Sequence, residues 1–340
     1  MTSPDLPTGP ASPASATLLQ PAVGHPTGSG ADPSRRPPLA RTVTPFGNQA
    51  LASLYQHRLL TAVQLTRLLR PGINPLSRYV RRQLMDLRAR GLADCVTRRR
   101  AHEAVWFLTS HGATLVEASG EVRPRTYRMS VDRAAGPLQD HTLAVNDTGL
   151  AFVETARRLG HDCGPLDWIP EPAHHLGEPT SGDNLLPDAL LSYLAIDAAS
   201  RQRTQLQFFL EIDRATMTVG RLAAKLSHYA RYYDHTPPGR SSAAGIPQAW
   251  RSRYPRFPRI LIVLTGLTEP ALDLRALDLA AHVRQLPQLR RHRDRFEAGV
   301  TTLRRLQSQG PFAPIFMPLS RDDNGMVTAL LDPAAPSPAA

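Results

Sequence analysis

Residues 207–233 read QFFLEIDRATMTVGRLAAKLSHYARYY. The stretch opens as an apolar strand that ends on two carboxylates, Glu211 and Asp213. Residues two apart on a strand share a face, so both acids face one side of a sheet. A helix follows, carrying Lys225, Tyr229, Tyr232 and Tyr233. Lys225 is the only lysine; every other fixed cation in the chain is arginine. Its solitude is either chance retention or a place where an ammonium serves and a guanidinium does not, because the two differ in size, geometry and acidity.

Around this stretch, hydrophobic periodicity predicts an α/β domain over 139–320. A helix is expected over 142–159, then strands over 166–170, 185–196 and 205–213. The Lys225 helix and a strand over 259–265 (RILIVLT) complete a mixed-sheet order αβββαβ. Residues 237–258, rich in Ser, Gly and Arg, read as an insertion. Helical stretches at 272–285 and 303–307 and a last strand at 314–319 follow.

Upstream, residues 45–120 read as a winged helix-turn-helix domain, giving an α+β/α/β chain of two domains. One helix is expected over 47–57. A second starts at Thr61, where Thr61 and Gln64 make a capping box, and stops at Pro71-Gly72. The third, 76–90, has Tyr79, Val80, Leu84 and Leu87 on its apolar stripe and Ser77, Arg78, Arg81, Arg82 and Arg88 mainly off it. Two short β runs, 92–96 and 105–108, flank a basic tip containing Arg98, Arg99 and Arg100, and a helix over 110–118 closes the unit. Such a third helix enters the major groove, and a wing reaches phosphate or the minor groove. The DNA-contact candidates are therefore Ser77, Arg78, Arg81, Arg82, Arg98, Arg99 and Arg100. A winged helix used for protein contacts is the alternative. Residues 121–138 read as a basic linker.

The charge distribution supports double-stranded DNA as the partner. The net charge is +11, and residues 41–130 hold 15 arginines against 5 acids, while 131–340 hold 23 basic residues against 22 acids. A basic excess confined to one folded unit is the footprint of a polyanion binder. Two cysteines give neither a disulfide framework nor a four-ligand zinc site, which fits a reducing cytoplasm. No secretory leader or membrane-length apolar run is expected. Residues 1–44 and 321–340 read as tails, the first poor in large apolar residues and expected to be disordered.

The order of elements and the placement of acids resemble the PD-(D/E)XK nuclease core, the restriction-endonuclease-like fold. Pro187-Asp188 stands where that fold has an Asp after a Pro on its second strand, and Glu211 lies on the third. The lysine position two residues on is occupied by Asp213; in some members the lysine comes from the next helix, a role Lys225 could fill. From about residue 46 to 319 the chain also resembles the replication-relaxation family of actinobacterial and firmicute plasmids and mobile elements. The resemblance lies in YQHRLLT (55–61), RYVRRQL (78–84), WFLT (106–109), His141 with Asn146-Asp147, Pro187-Asp188-Ala189, FLEIDR (209–214) and 225–233. It implies a role in plasmid replication and relaxation of plasmid DNA, alongside other plasmid replication or transfer proteins. It supplies no catalytic residue.

The chemistry these residues could carry is metal-dependent phosphodiester hydrolysis. Mg²⁺ or Mn²⁺ would be held by Asp188, Glu211 and Asp213, with Asp188, Glu211 and Lys225 as the catalytic set. Each residue has a plainer reading: Asp188 in a turn, the two acids paired with Arg214 or Arg221, Lys225 on the surface. A tyrosine nucleophile on the 229/233 face is a weaker route, since His174-His175 does not make the alternating histidine pair of tyrosine relaxases. No phosphate-binding loop is present, so no nucleotide cofactor is expected. The alternative to an enzyme is a non-catalytic replication accessory factor or transcriptional regulator.

Overall fold

The computed structural model describes residues 42–74, 78–98, 101–122, 124–176, 183–236, 248–292, 297–319 and 325–331. Ser77, Arg99 and Arg100, residues 1–41 and 332–340 of the expected tails, and 237–247 of the expected insertion lie outside them.

Helix α1 (Pro45–His57) starts two residues earlier than its apolar pattern suggests, because Thr44 caps it by accepting the Gly47 N–H and Pro45 suits a first turn. A two-residue strand β1 (Leu60–Thr61) leads into α2 (Ala62–Leu69). The capping box is formed as expected: the Thr61 hydroxyl accepts from Gln64 N, and the Gln64 side chain accepts from Thr61 N. Helix α3 (Arg78–Ala89) buries Val80, Leu84 and Leu87 and leaves Arg78, Arg81 and Arg82 exposed. Strands β2 (Ala93–Thr97) and β3 (Ala104–Leu108) pair antiparallel, and β1 joins the other side of β3. Helix α4 (Ser110–Ala118) closes this part.

Residues 124–138 include a short helix, α5 (Val131–Ala134), and are tied back to the preceding helices. The Arg125 guanidinium stacks on the Tyr55 ring and donates to the Tyr55 carbonyl, and Arg128 pairs with Glu117 at 2.7 Å. Helix α6 (Gln139–Leu159) follows, then β4 (Trp168–Pro170), the two-stranded pair β5 (His174–His175) and β6 (Asn184–Leu185), β7 (Ala189–Ile196) and β8 (Arg203–Asp213). The apolar run expected as one strand over 185–196 is thus two, broken at Leu186-Pro187-Asp188. Proline has no N–H to give a ladder.

After β8 come α7 (Val219–Asp234), capped by Thr218, a 3₁₀ turn (Ala249–Ser252), β9 (Arg259–Leu264), α8 (Glu269–Gln285), α9 (Pro287–Arg290), β10 (Ala298–Thr302), α10 (Leu303–Gln309) and β11 (Met317–Pro318). The main sheet runs β11-β10-β9-β8-β7-β4. Strands β8, β9 and β10 are parallel; β7 on one side and β11 on the other run antiparallel to them, and β4 pairs antiparallel with β7 and so runs in the direction of β8. The fold is a mixed α/β architecture with a mixed sheet. Strand β10 has no counterpart in the expected elements. Its AGVTT sequence lacks an apolar run, yet all five residues are buried. Leu331 packs closely over Gly299: a Cβ there would meet Leu331 Cδ2 at 2.4 Å, so that side chain would have to shift.

Alternation along β8 sends Phe208, Leu210 and Ile212 to one apolar core, shared with α6 and continuous with the core of α1–α4. Phe209 goes to a second core, under α7 and α8. Glu211 and Asp213 share the Phe209 face, as the spacing predicts. Hydrogen bonds bind the first helices to α6: Gln64 Nε2 donates to the Leu143 carbonyl and Asp147, and Arg67 forms a bidentate pair with Glu154. His57 stacks on Trp168 with ring centroids 3.8 Å apart.

Candidate functional site

The site forms where β7 begins against the C-terminal part of β8. The antiparallel register pairs Ala189 with Leu210, so Asp188 lies beside Glu211 just past the last paired residue. Continued pairing would bring Ile212 opposite Pro187. The ladder stops there, and the Asp188 side chain replaces it: Oδ2 accepts the Ile212 N–H at 2.7 Å. The other oxygen, Oδ1, faces Lys225 Nζ at 3.4 Å.

Glu211 is the most enclosed of the ionisable acids and bases here, 2 % exposed, and Tyr229 beside it is fully buried. Its carboxylate accepts from Lys225 Nζ on one oxygen and from the Tyr229 hydroxyl on the other. Lys225 and Tyr229 are four apart on α7 and therefore reach the same place. His141, in the first turn of α6, brings Nε2 to 3.4 Å from Asp188 Oδ2.

Burial pushes the Glu211 carboxyl up to about 8, with the nearby Asp188 charge adding to the effect and Lys225 and Tyr229 opposing it. Burial also pushes Asp188 up, but the His141 hydrogen bond, the Lys225 charge and the Ile212 N–H outweigh it, and the net shift is down. Lys225 is raised: burial works against its charge, and the two carboxylates more than offset that. Tyr229 stands well above its ordinary value through burial and the adjacent Glu211. The cluster thus sets Asp188 and Glu211 apart: the first is shifted toward its charged form and the second away from it, with Lys225 shifted toward its charged form.

Asp213 does not join them. It pairs with Arg275 of α8, and its Oδ1 accepts the Ala215 N–H at 3.1 Å, organising the turn after β8. Neither Arg214 nor Arg221 is its partner; Arg214 pairs with Asp140 at 3.0 Å. Among the described residues, no group of three or more His, Cys, Asp or Glu side chains is arranged to hold a metal ion. A three-carboxylate set thus does not fit. The pair Asp188 and Glu211 does fit Mg²⁺ in number, because that ion is commonly held by one or two carboxylates with water and substrate phosphate.

A cleft of about 640 Å³ leads to Asp188 and His141, with Arg58, Tyr127, Arg133 and Leu138 on its walls. Arg58 pairs with Glu171 at 2.7 Å. Of the expected DNA-contact residues, Arg78, Arg81 and Arg82 share the exposed side of α3. Arg98 is engaged elsewhere, 3.1 Å from Asp140 and 3.9 Å from Glu103.

A family model described as replication-relaxation matches residues 51–248, more than half of the chain. The chain belongs to the replication-relaxation family. The match runs from the middle of α1 through α7, takes in all the residues of the Asp188–Glu211–Lys225 cluster, and stops short of β9. No curated protein and no solved structure matches the chain. Membership in the replication-relaxation family suggests a role in plasmid replication and relaxation. No helix among the described residues is long and apolar enough to cross a membrane.

His141 and Tyr229 are the site members that their own sequence signals did not single out for the cluster. His141 had only its place in a family motif, and Tyr229 reads as core on a helix face. The periodicity of α7 put Tyr229 one turn from Lys225, which was the available clue.

Proposed function

We propose that this replication-relaxation protein binds double-stranded plasmid DNA through a winged helix-turn-helix built from α1–α3 and β1–β3, and nicks it at the Asp188–Glu211–Lys225 cluster. The observation that carries the reading is the meeting of three groups from separate elements: Asp188 before β7, Glu211 on β8 and Lys225 on α7. With the Pro187-Asp188 dipeptide, this supports a PD-(D/E)XK-like core whose lysine comes from the helix.

Asp188 and Glu211 would hold Mg²⁺ or Mn²⁺, which supplies charge neutralisation at the phosphate and lowers the pKa of water. The chain's own residues do the remainder. The Ile212 N–H fixes the Asp188 carboxylate. Tyr229 fixes Glu211. Lys225 keeps its proton and offers positive charge where negative charge develops on phosphate oxygens, the interaction most often worth several kcal/mol in such sites. Arg78, Arg81 and Arg82 would position the duplex, chiefly through phosphate.

One observation favours a second reading. Glu211 is buried and already served by Lys225 and Tyr229. A closed cluster of this kind also suits a non-catalytic DNA-binding factor that keeps the fold as a clamp. Incubation of supercoiled plasmid with Mg²⁺ or Mn²⁺ separates the two. Nicking that is lost in Asp188→Ala and Glu211→Ala supports the nuclease. Salt-sensitive DNA binding without nicking supports the clamp.

A further inference from the structure

A second hollow, of about 510 Å³, lies between the C-terminal ends of α2 and α6. Arg67, Arg70, Arg157 and Arg158 line it, with Glu154 as the only carboxylate among the lining residues. Arg67 takes that carboxylate in a bidentate pair. Among the described residues, Arg70, Arg157 and Arg158 form no ion pair with any acid.

Their hydrogen bonds are to neutral groups. Arg70 Nη1 donates to the Leu69 carbonyl at 2.8 Å, and Arg158 Nη2 to Thr155 Oγ1 at 3.0 Å. Arg157 donates to the carbonyls of Arg67 and Leu68, which caps the end of α2. Such bonds orient a guanidinium without neutralising it. A guanidinium carries five N–H donors, so donors remain on each side chain. Burial holds Arg157 below the ordinary arginine range, with the Glu154 charge opposing the shift.

From these three uncompensated guanidiniums we infer that the hollow binds a phosphate group. Phosphate oxygens match the forked N–H geometry of arginine, and several guanidiniums around one concavity focus positive potential there. The site needs neither the carboxylate cluster nor α3. It precedes the turn into α3, so a DNA phosphodiester is one source; a phosphorylated small molecule is the other.

The test uses the full chain and the Arg70→Ala/Arg158→Ala variant with two probes, pyrophosphate and a DNA duplex. Pyrophosphate is expected to raise the melting temperature of the wild type and leave the variant unmoved. If the occupant is DNA, the log–log salt slope of duplex binding also falls by about 0.9 for each phosphate the variant no longer engages. A pyrophosphate effect confined to the wild type, with an unchanged slope, assigns the hollow to a phosphorylated small molecule. Wild type and variant alike in both measurements overturn the inference. Arg158→Glu, at an exposed side chain that donates to Thr155, provides a second variant with the same expected direction and little demand on folding.

Discussion

Asp188 Oδ2 accepts the backbone N–H of Ile212 at 2.7 Å, so one side chain both ends the β7–β8 ladder and presents its other oxygen to Lys225. Structural and chemical roles can be parted by substitution. Asp188→Asn keeps an acceptor for Ile212 and loses the charge; Asp188→Ala loses both. Urea unfolding is expected to show Asp188→Ala less stable than Asp188→Asn by about 1–3 kcal/mol, the cost of an unsatisfied buried donor. Neither variant is expected to nick plasmid. Equal stabilities would show that Ile212 finds another partner.

The raised Glu211 carboxyl makes stability depend on pH. Its folded value, about 8, stands above the ordinary 4.5. A group shifted upward stabilises the fold fully below its unfolded pKa, and that contribution is lost as pH rises through the folded value. Wild-type stability is therefore expected to fall between about pH 5 and pH 9, by up to about 1.4 kcal/mol per pH unit. Asp188 is shifted the other way, so its loss comes at the acid end, outside this window. Glu211→Gln should flatten the decline; thermal melts across the range check it, and a parallel decline in the variant would refute the assignment.

Tyr229 is fully buried and donates to Glu211, which places it in the core. Tyr229→Phe should cost about 0.5–1.5 kcal/mol for the missing hydrogen bond and leave the proposed nicking of plasmid DNA unchanged. A covalent DNA–protein adduct in the wild type that disappears in Tyr229→Phe would reverse this and restore the tyrosine route.

The parts legible in the sequence are those written in local periodicity and capping. The capping box at Thr61, the alternation of β8 and the apolar stripe of α3 each need only neighbours within a few residues. Glu211 and Lys225 could be linked for the same reason, being joined by one turn and a helix. What escaped depends on partners far along the chain. Strand β10 is composed of small residues and exists because β9 and β11 flank it and Leu331 covers Gly299. Arg275 lies 62 residues from the Asp213 it neutralises. Arg98, expected to face DNA, is drawn to Asp140 at the start of α6.

The exposed arginines of α3 carry the DNA-binding reading. Arg81→Ala/Arg82→Ala should weaken duplex binding and reduce its salt slope, by about 0.9 for each phosphate that these side chains neutralise. Both side chains point away from the buried stripe, so melting temperature should stay near that of the wild type. An unchanged slope with weakened binding would mean that these residues do not touch phosphate.

Asp213 gives the test of how many carboxylates the site uses. It is 1 % exposed and neutralised by Arg275, whose other amino group donates to the Met217 carbonyl at 2.6 Å. Removing one partner of a buried pair strands the other charge, at a cost of about 3–5 kcal/mol, while replacing both with apolar residues is often close to neutral. Asp213→Ala is therefore expected to be strongly destabilising, and Asp213→Leu/Arg275→Met to recover much of that stability in urea unfolding. Since Asp213 stands outside the Asp188–Glu211–Lys225 cluster, the proposed Mg²⁺-dependent nicking is expected in the folded double variant at the same Mg²⁺ concentration as in the wild type. A stable double variant that no longer nicks, or that requires much more Mg²⁺, would return Asp213 to the metal site and overturn the two-carboxylate reading.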